Sequence, residues 1–252
     1  MSNNSNSVRD FFNSLSGNYV GRYSKKNPFH YYFFNERLVK SLADLDLNDK
    51  NILDVGAGTG VLYDALIERF DAVKYFGNDI AEEMLKRSKI PIEQMFHGSV
   101  AEKKFPAVPI ENAFMLGVST YLQKEEMEAH LDYFSKNINQ NGLCVVSFTN
   151  KYCLDGFFRS LWKPIVRLFF RKHYVLSSSL NISKHTLHEA AEMFEKRGFA
   201  VERVDLLNHT VFPVNLILPK FSVWLAQKLD RVFQKRILSV FSSDFLIRAR
   251  KI

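Results

Sequence analysis

Three glycines, Gly56, Gly58 and Gly60, alternate directly after the apolar run 51–55, in the stretch Asp54-Val-Gly-Ala-Gly-Thr-Gly60, and Asp79 lies 23 residues beyond Gly56. A corner this bare at the end of a strand serves a ligand. Gly56 permits a sharp turn, Gly58 lets the backbone approach without a Cβ in the way, and Gly60 admits the next helix close to the sheet. The spacing also rules out two phosphate cradles. A dinucleotide fingerprint, G-x-G-x-x-G, needs its third glycine one residue later, and a triphosphate loop needs Lys-Ser/Thr where Val61 and Leu62 stand.

The elements that must hold this corner are legible as alternating periodicities. Strands are predicted at 51–55, 73–79, 93–97, 112–118, 143–149, 200–207 and 244–251, and helices at 61–70, 81–88, 124–137 and 184–197, the last stopped by Gly198. The run 143–149, after the turn pair Asn141-Gly142, is almost wholly apolar, as a strand covered on both faces must be. Strand and helix repeated in this order specify a parallel sheet with helices on both sides, because parallel strands need crossover connections. The glycine corner then sits at the carboxyl end of the first strand, where open α/β sheets bind their ligands.

The form D-x-G-x-G-x-G with an acid at its head resembles motif I of the class I S-adenosylmethionine-dependent methyltransferases, of the small-molecule or quinone type. That resemblance implies a Rossmann-like, seven-stranded, mostly parallel sheet with helices on both faces and helical lid insertions. It implies S-adenosyl-L-methionine as cofactor and S-adenosyl-L-homocysteine as product, held by Asp54, Gly56, Ala57, Gly58, Thr59 and Gly60. Asp79, ending "YFGND", matches the family acid that accepts both ribose hydroxyls, and its paired oxygens suit a vicinal diol. Asp79 is equally a favoured cap for the helix after it. Ile80 and Met84 then flank the adenine. "HGSV" places Gly98, Ser99 and Val100 on the adenine side, with Ser99 where the family often has Asp. Leu116 and Gly117 match the fourth-strand end, whose carbonyls meet the methionine ammonium. Asp54 either satisfies loop amides from beneath or touches the cofactor.

Methyl transfer asks the protein mainly to align an attacking atom and, where needed, to remove a proton. His209, just after the sixth strand in "LLNHTVFP", is the preferred base, with Tyr121 and His130 as weaker candidates. The aromatic-rich segment 1–45 reads as a helical cover over the domain 46–252, and Tyr19, Arg22 and Tyr23 are its candidate cofactor contacts. The same aromatics are also suited simply to capping the open end of the sheet. The first eight residues or so are expected to be loose and uncleaved.

Two insertions, at about 154–180 and 211–241, carry basic residues on helical spacing among bulky apolar ones, as with Arg159, Lys163, Arg167 and Arg171. Such helices lie in a membrane interface, roof a lipid-like acceptor, or pack on the domain or on a second subunit as a homodimer. The net charge is +7, yet the cations are mixed with apolar side chains and no flipped-base motif is present, which argues against nucleic acid. The expected acceptor is a small or amphiphilic molecule. An RNA or protein methyltransferase and a non-catalytic binding protein on the same fold remain the alternatives. Two cysteines, Cys144 and Cys153, without metal-ligand spacing fit a reducing compartment, so the cytoplasm is expected, peripheral to the inner face of a membrane if the insertions bind one. No zinc-like cluster is present, and the longest apolar region, 211–226, is too interrupted to span a bilayer.

Overall fold

The computed structural model describes residues 3–102, 108–169 and 180–252, and of residues 3, 22, 163–169 and 236 the backbone alone. The expected role of Arg171 therefore lies outside the described residues, as do those of the Arg22, Lys163 and Arg167 side chains. Two helices, α1 (Asn3–Arg22) and α2 (Pro28–Ser41), precede the sheet. The expected loose start is corrected, because α1 is helical from Asn3 onward. Asn4 Nδ2 donates to the Tyr121 carbonyl at 2.8 Å, and Ser5 Oγ donates to Glu126. Anchors so distant along the chain leave no trace in local composition.

Next come β1 (Lys50–Val55), α3 (Val61–Arg69), β2 (Val73–Asp79), α4 (Glu82–Leu85), β3 (Met95–His97), β4 (Ile110–Met115) and α5 (Lys124–Asn137). The second half comprises β5 (Ile138–Thr149), α6 (Leu154–Phe169), α7 (Leu187–Glu195), β6 (Phe199–Leu207), α8 (Val214–Ile217), α9 (Pro219–Phe233) and β7 (Asp244–Lys251). The strands stand in the order β3-β2-β1-β4-β5-β7-β6, parallel from β3 to β5, with β7 antiparallel to both its neighbours. The order reverses between β1 and β4, so a crevice opens beyond their carboxyl ends. This is the seven-stranded, mostly parallel sheet that the resemblance implied.

Both faces of the sheet are covered. Met127, Leu131 and Phe134 of α5 and Phe194 of α7 pack with Phe148 and Phe245 on one side. Leu62 and Leu66 of α3 pack with Leu42, Tyr75 and Phe114 on the other. Burying side chains of this size contributes about 1.5–3 kcal/mol each.

Several boundaries differ from expectation for local reasons. The helix expected at 81–88 shortens to α4, since Ser88 Oγ donates to the Leu85 carbonyl at 2.7 Å and Pro91 follows. The strand expected at 93–97 keeps only β3, because a 3-10 turn occupies Ile92–Gln94. Strand β4 ends at Met115, short of the expected 118, because Gly117 turns to a φ of 79°. Strand β5 starts at Ile138 rather than 143, passing through Asn141 at a φ of 63°. Helix α7 starts later than expected, where Thr186 and Glu189 form a reciprocal capping box. Upstream of that cap, His185 pairs with Thr149 and Lys151 through backbone hydrogen bonds of 2.9 Å.

Candidate active site

The loop from Val55 to Val61 turns back on itself because its amides are spent on neighbouring strand ends. Gly56 N and Ala57 N both donate to the Asn78 carbonyl, at 2.7 and 2.9 Å. Gly56 has a φ of 80°, and a Cβ there would come within 2.1 Å of Val118 Cγ2. Gly58, at a φ of 54°, donates its N–H to Asp79 Oδ2 at 2.8 Å, and a Cβ there would enter the space beside Met84. Asp79 Oδ1 accepts from the Ala81 amide at 2.7 Å, so backbone amides fix both carboxylate oxygens. Burial raises the Asp79 pKa, while the amides of Ala81, Gly58 and Ile80 and the nearby His97 oppose the rise. Asp79 is not itself the cap of α4; Ala81 holds that position.

A cavity of about 810 Å³ lies over this corner. Of the residues expected to hold the cofactor, Gly56, Gly58, Asp79, Ile80, Met84 and Ser99 line it, and Tyr23, Leu116 and Gly117 join them. Asp54, Ala57 and Thr59 instead line a separate crevice of about 60 Å³, shared with Gly56 and Gly58. Asp54 is buried, and Tyr75 Oη donates to it at 2.5 Å. The expected support of loop amides by Asp54 is thus replaced by a side-chain pair with β2, and burial pushes the Asp54 carboxyl up to about 7.

Three expected residues stand apart from both spaces. Gly60, at a φ of 79°, precedes α3, and a Cβ there would lie 2.9 Å from Ser88 Cβ, so its neighbour is the chain after α4 rather than the sheet. Gly98 offers its carbonyl to Asn78 Nδ2 at 2.7 Å, and Val100 is wholly buried in the core. The expected His209 position is also corrected. Its side chain has 0% exposure and does not line the cavity. It is sealed under α9, with Nε2 3.5 Å from Asp230 Oδ1 and its ring 5.0 Å from that of Phe233. Asp230 also receives Lys40 Nζ at 2.6 Å, and these contacts hold its carboxyl well below the usual range despite its burial. Glu36, His209 and Asp230 converge within 4.8 Å of one another, with the Lys40 ammonium bonded to both carboxylates. Tyr121 and His130 do line the cavity. His130 is tied to the Glu126 carbonyl at 2.7 Å, and burial lowers its pKa.

The far half of the cavity holds residues that sequence reasoning missed as a site. Arg37 of α2 stacks over Phe33 at 4.7 Å and reaches within 3.9 Å of Asp244 Oδ2, at the head of β7. A Cβ on Gly117 would stand 2.7 Å from Arg37 Nη1, so the bare β4 end and this guanidinium depend on each other. Thr149 Oγ1 donates to Asp244 at 3.1 Å, and burial raises the Asp244 pKa. On α6, buried Asp155 takes the Phe212 amide at 2.8 Å and Arg159 Nε at 2.5 Å. Apart from Arg159, which stands in the basic pattern of the first insertion, spacing offered no signal for these groups, which come from four segments of the chain.

A family model described as a methyltransferase domain matches residues 29–204. No curated protein matches the chain by sequence. Among solved structures, magnesium protoporphyrin IX methyltransferase from Synechocystis PCC 6803 with bound S-adenosylhomocysteine superposes with a TM-score of 0.65 at 15% identity, covering 99% of this chain and 100% of that one. A putative methyltransferase of Haloferax volcanii, in complex with the Trm112 methyltransferase activator, gives a TM-score of 0.62 at 15% identity over 96% of each chain. The N-methyltransferase NodS from Bradyrhizobium japonicum WM9 gives 0.54 at 12% identity, over 89% of this chain and 88% of that one.

Proposed function

The chain belongs to the class I S-adenosylmethionine-dependent methyltransferases, and from that premise we propose that it methylates a small or amphiphilic acceptor bound in the far half of the cavity. The observation that carries this reading is the continuity of one space of about 810 Å³ from the Gly56–Asp79 corner to Arg37, Asp155 and Asp244. That volume is in the range of small-molecule sites.

S-adenosylmethionine supplies an activated methyl group on a sulfonium. The residues fit the nucleoside half of such a group: Gly58 leaves space that a Cβ would fill, and the Asp79 carboxylate, held by backbone amides, lines the cavity beside it. Ile80 and Met84 offer apolar walls for the adenine, Ser99 its edge, and the Leu116–Gly117 turn the methionine end. Tyr19 and Tyr23 of the N-terminal cover line the same space, with ring centroids 4.8 Å apart. Asp54, Ala57, Thr59 and Gly60 shape the loop from behind, and Gly98 and Val100 its flank. Asp244 replaces His209 as the group placed to take a proton, because it faces the cavity with a raised pKa and His209 does not face it. Arg37 and Arg159 position an acceptor that carries negative charge or polar oxygens.

A structural neighbour named for a porphyrin acceptor favours such a reading. No helix among the described residues is long and apolar enough to cross a membrane. We place the chain in the cytoplasm. The test is transfer of labelled methyl from S-adenosylmethionine into fractionated cell extract, with mass spectrometry of the product. Label in low-mass or lipid fractions is expected. Label confined to RNA or protein, or no heat of binding with S-adenosylhomocysteine, would overturn the proposal.

A further inference from the structure

One surface of the molecule is out of keeping with the rest. Both tryptophans of the chain, Trp162 on α6 and Trp224 on α9, are exposed, at 39% and 52%. Phe221 beside Trp224 is 49% exposed, and Ile237 in the following turn reaches 85%. Ile217 and Leu218, at the end of α8, are likewise open to solvent. These elements are contiguous, since α8 runs into α9, α9 packs on the turn Arg236–Phe241, and that turn meets α6. An apolar surface of this extent on a folded chain marks a partner.

The charge pattern says which kind. Between Thr210 and Ser243 the chain carries Lys220, Lys228, Arg231, Lys235 and Arg236 against one acid, Asp230. Asp230 turns inward to Lys40 and His209, whereas Lys220, Lys228, Arg231 and Lys235 are exposed. A two-fold pairing through this surface would set the same cations against one another, which disfavours a second copy of the chain. Tryptophan at the level of lipid headgroups, cations beside it and aliphatic side chains beyond it is instead the composition of a helix lying in a bilayer interface.

We propose that α8, α9, the turn after α9 and the outer face of α6 form a docking surface for an anionic lipid bilayer. Helix α6 is the link to the site. Asp155, Gly156, Arg159 and Ser160 line the cavity, while Phe157 and Leu161 on the next face stand exposed. A docked molecule therefore has one helix between bilayer and cavity. On the proposed reaction, which this last consequence alone rests on, an acceptor with a hydrocarbon tail reaches the cavity without crossing water.

The experiment uses the whole chain with vesicles of phosphatidylcholine alone or with a third of phosphatidylglycerol, read by sedimentation and tryptophan emission at two salt concentrations. Binding to the anionic vesicles with a blue shift, weakened at high salt, is expected. Lys228→Glu/Arg231→Glu should lower that binding at least about tenfold, and Trp224→Ser should remove most of the blue shift. Both variants should retain the wild-type affinity for S-adenosylhomocysteine, which separates failure of docking from failure of the reaction reading. The proposal is overturned by absence of binding to anionic vesicles at low salt, or by binding that charge reversal leaves unchanged. A vesicle-indifferent dimer broken by Phe221→Asp, seen in sedimentation velocity, would overturn it in favour of a second copy.

Discussion

The two halves of the cavity are built on different plans. The corner half draws Gly56, Gly58 and Asp79 from one β-α-β unit and acts mostly through backbone: two amides on the Asn78 carbonyl, and those of Gly58 and Ala81 on the Asp79 carboxylate. The far half draws Arg37 from α2, Thr149 from β5, Asp155 and Arg159 from α6 and Asp244 from β7, and acts through side chains. A backbone site tolerates little change because its shape is the chain itself. A side-chain site can be rebuilt for another acceptor without disturbing the sheet. The division fits a protein whose methyl donor is fixed and whose acceptor is particular to it.

The sharpest break comes from Gly56→Ala. Positive φ and the 2.1 Å approach to Val118 together predict a loss of about 3 kcal/mol in stability by chemical denaturation. Val118→Ala in the same chain should recover about 1 kcal/mol of it in a double-mutant cycle. An undiminished melting temperature for Gly56→Ala would mean the corner is less constrained than its geometry implies.

Asp244→Asn separates the halves next. Turnover should drop about 100-fold while affinity for S-adenosylhomocysteine holds. A drop in affinity instead would tie β7 to the donor. Asp79→Ala should do the reverse, weakening cofactor binding by about 1.5–3 kcal/mol in calorimetry. An affinity equal to wild type would remove Asp79 from the donor site.

The corner also has a pH dependence. Asp54 has a folded pKa of about 7 against 3.8 for the free group, so the folded state holds a proton that the unfolded chain releases. Its contribution to stability is therefore complete below about pH 4 and is lost as pH rises toward 7. Denaturation at pH 5 and pH 8 should show wild type losing about 2.5 kcal/mol more than Asp54→Asn. Parallel pH profiles would show that Asp54 is ionised in the folded protein throughout.

The core of the sheet was legible because periodicity and glycine are local. Strand β2 falls at its expected limits, as do α5 and β7, and the parallel sheet follows from crossover connections. The helical cover was expected, but the first turns of α1 were expected to be loose because their anchors, Tyr121 and Glu126, lie far along the chain. His209 was misplaced for a related reason. Sequence positions it after β6 near the catalytic edge, but the side chain turns beneath α9 to Asp230, a direction set by packing and not by the strand that precedes it.

By itself, then, the sequence determined the fold class and the glycine corner at the end of β1, because both depend on interactions among residues close along the chain, where spacing is a direct measure of geometry. Only the tertiary structure decided which side chains line the rest of the cavity and which helices are left uncovered. Arg37 and Asp244 are brought within 3.9 Å by the sheet between them, and no spacing in the chain encodes that approach. The exposure of Trp162 and Trp224 was likewise a matter of what failed to pack against them.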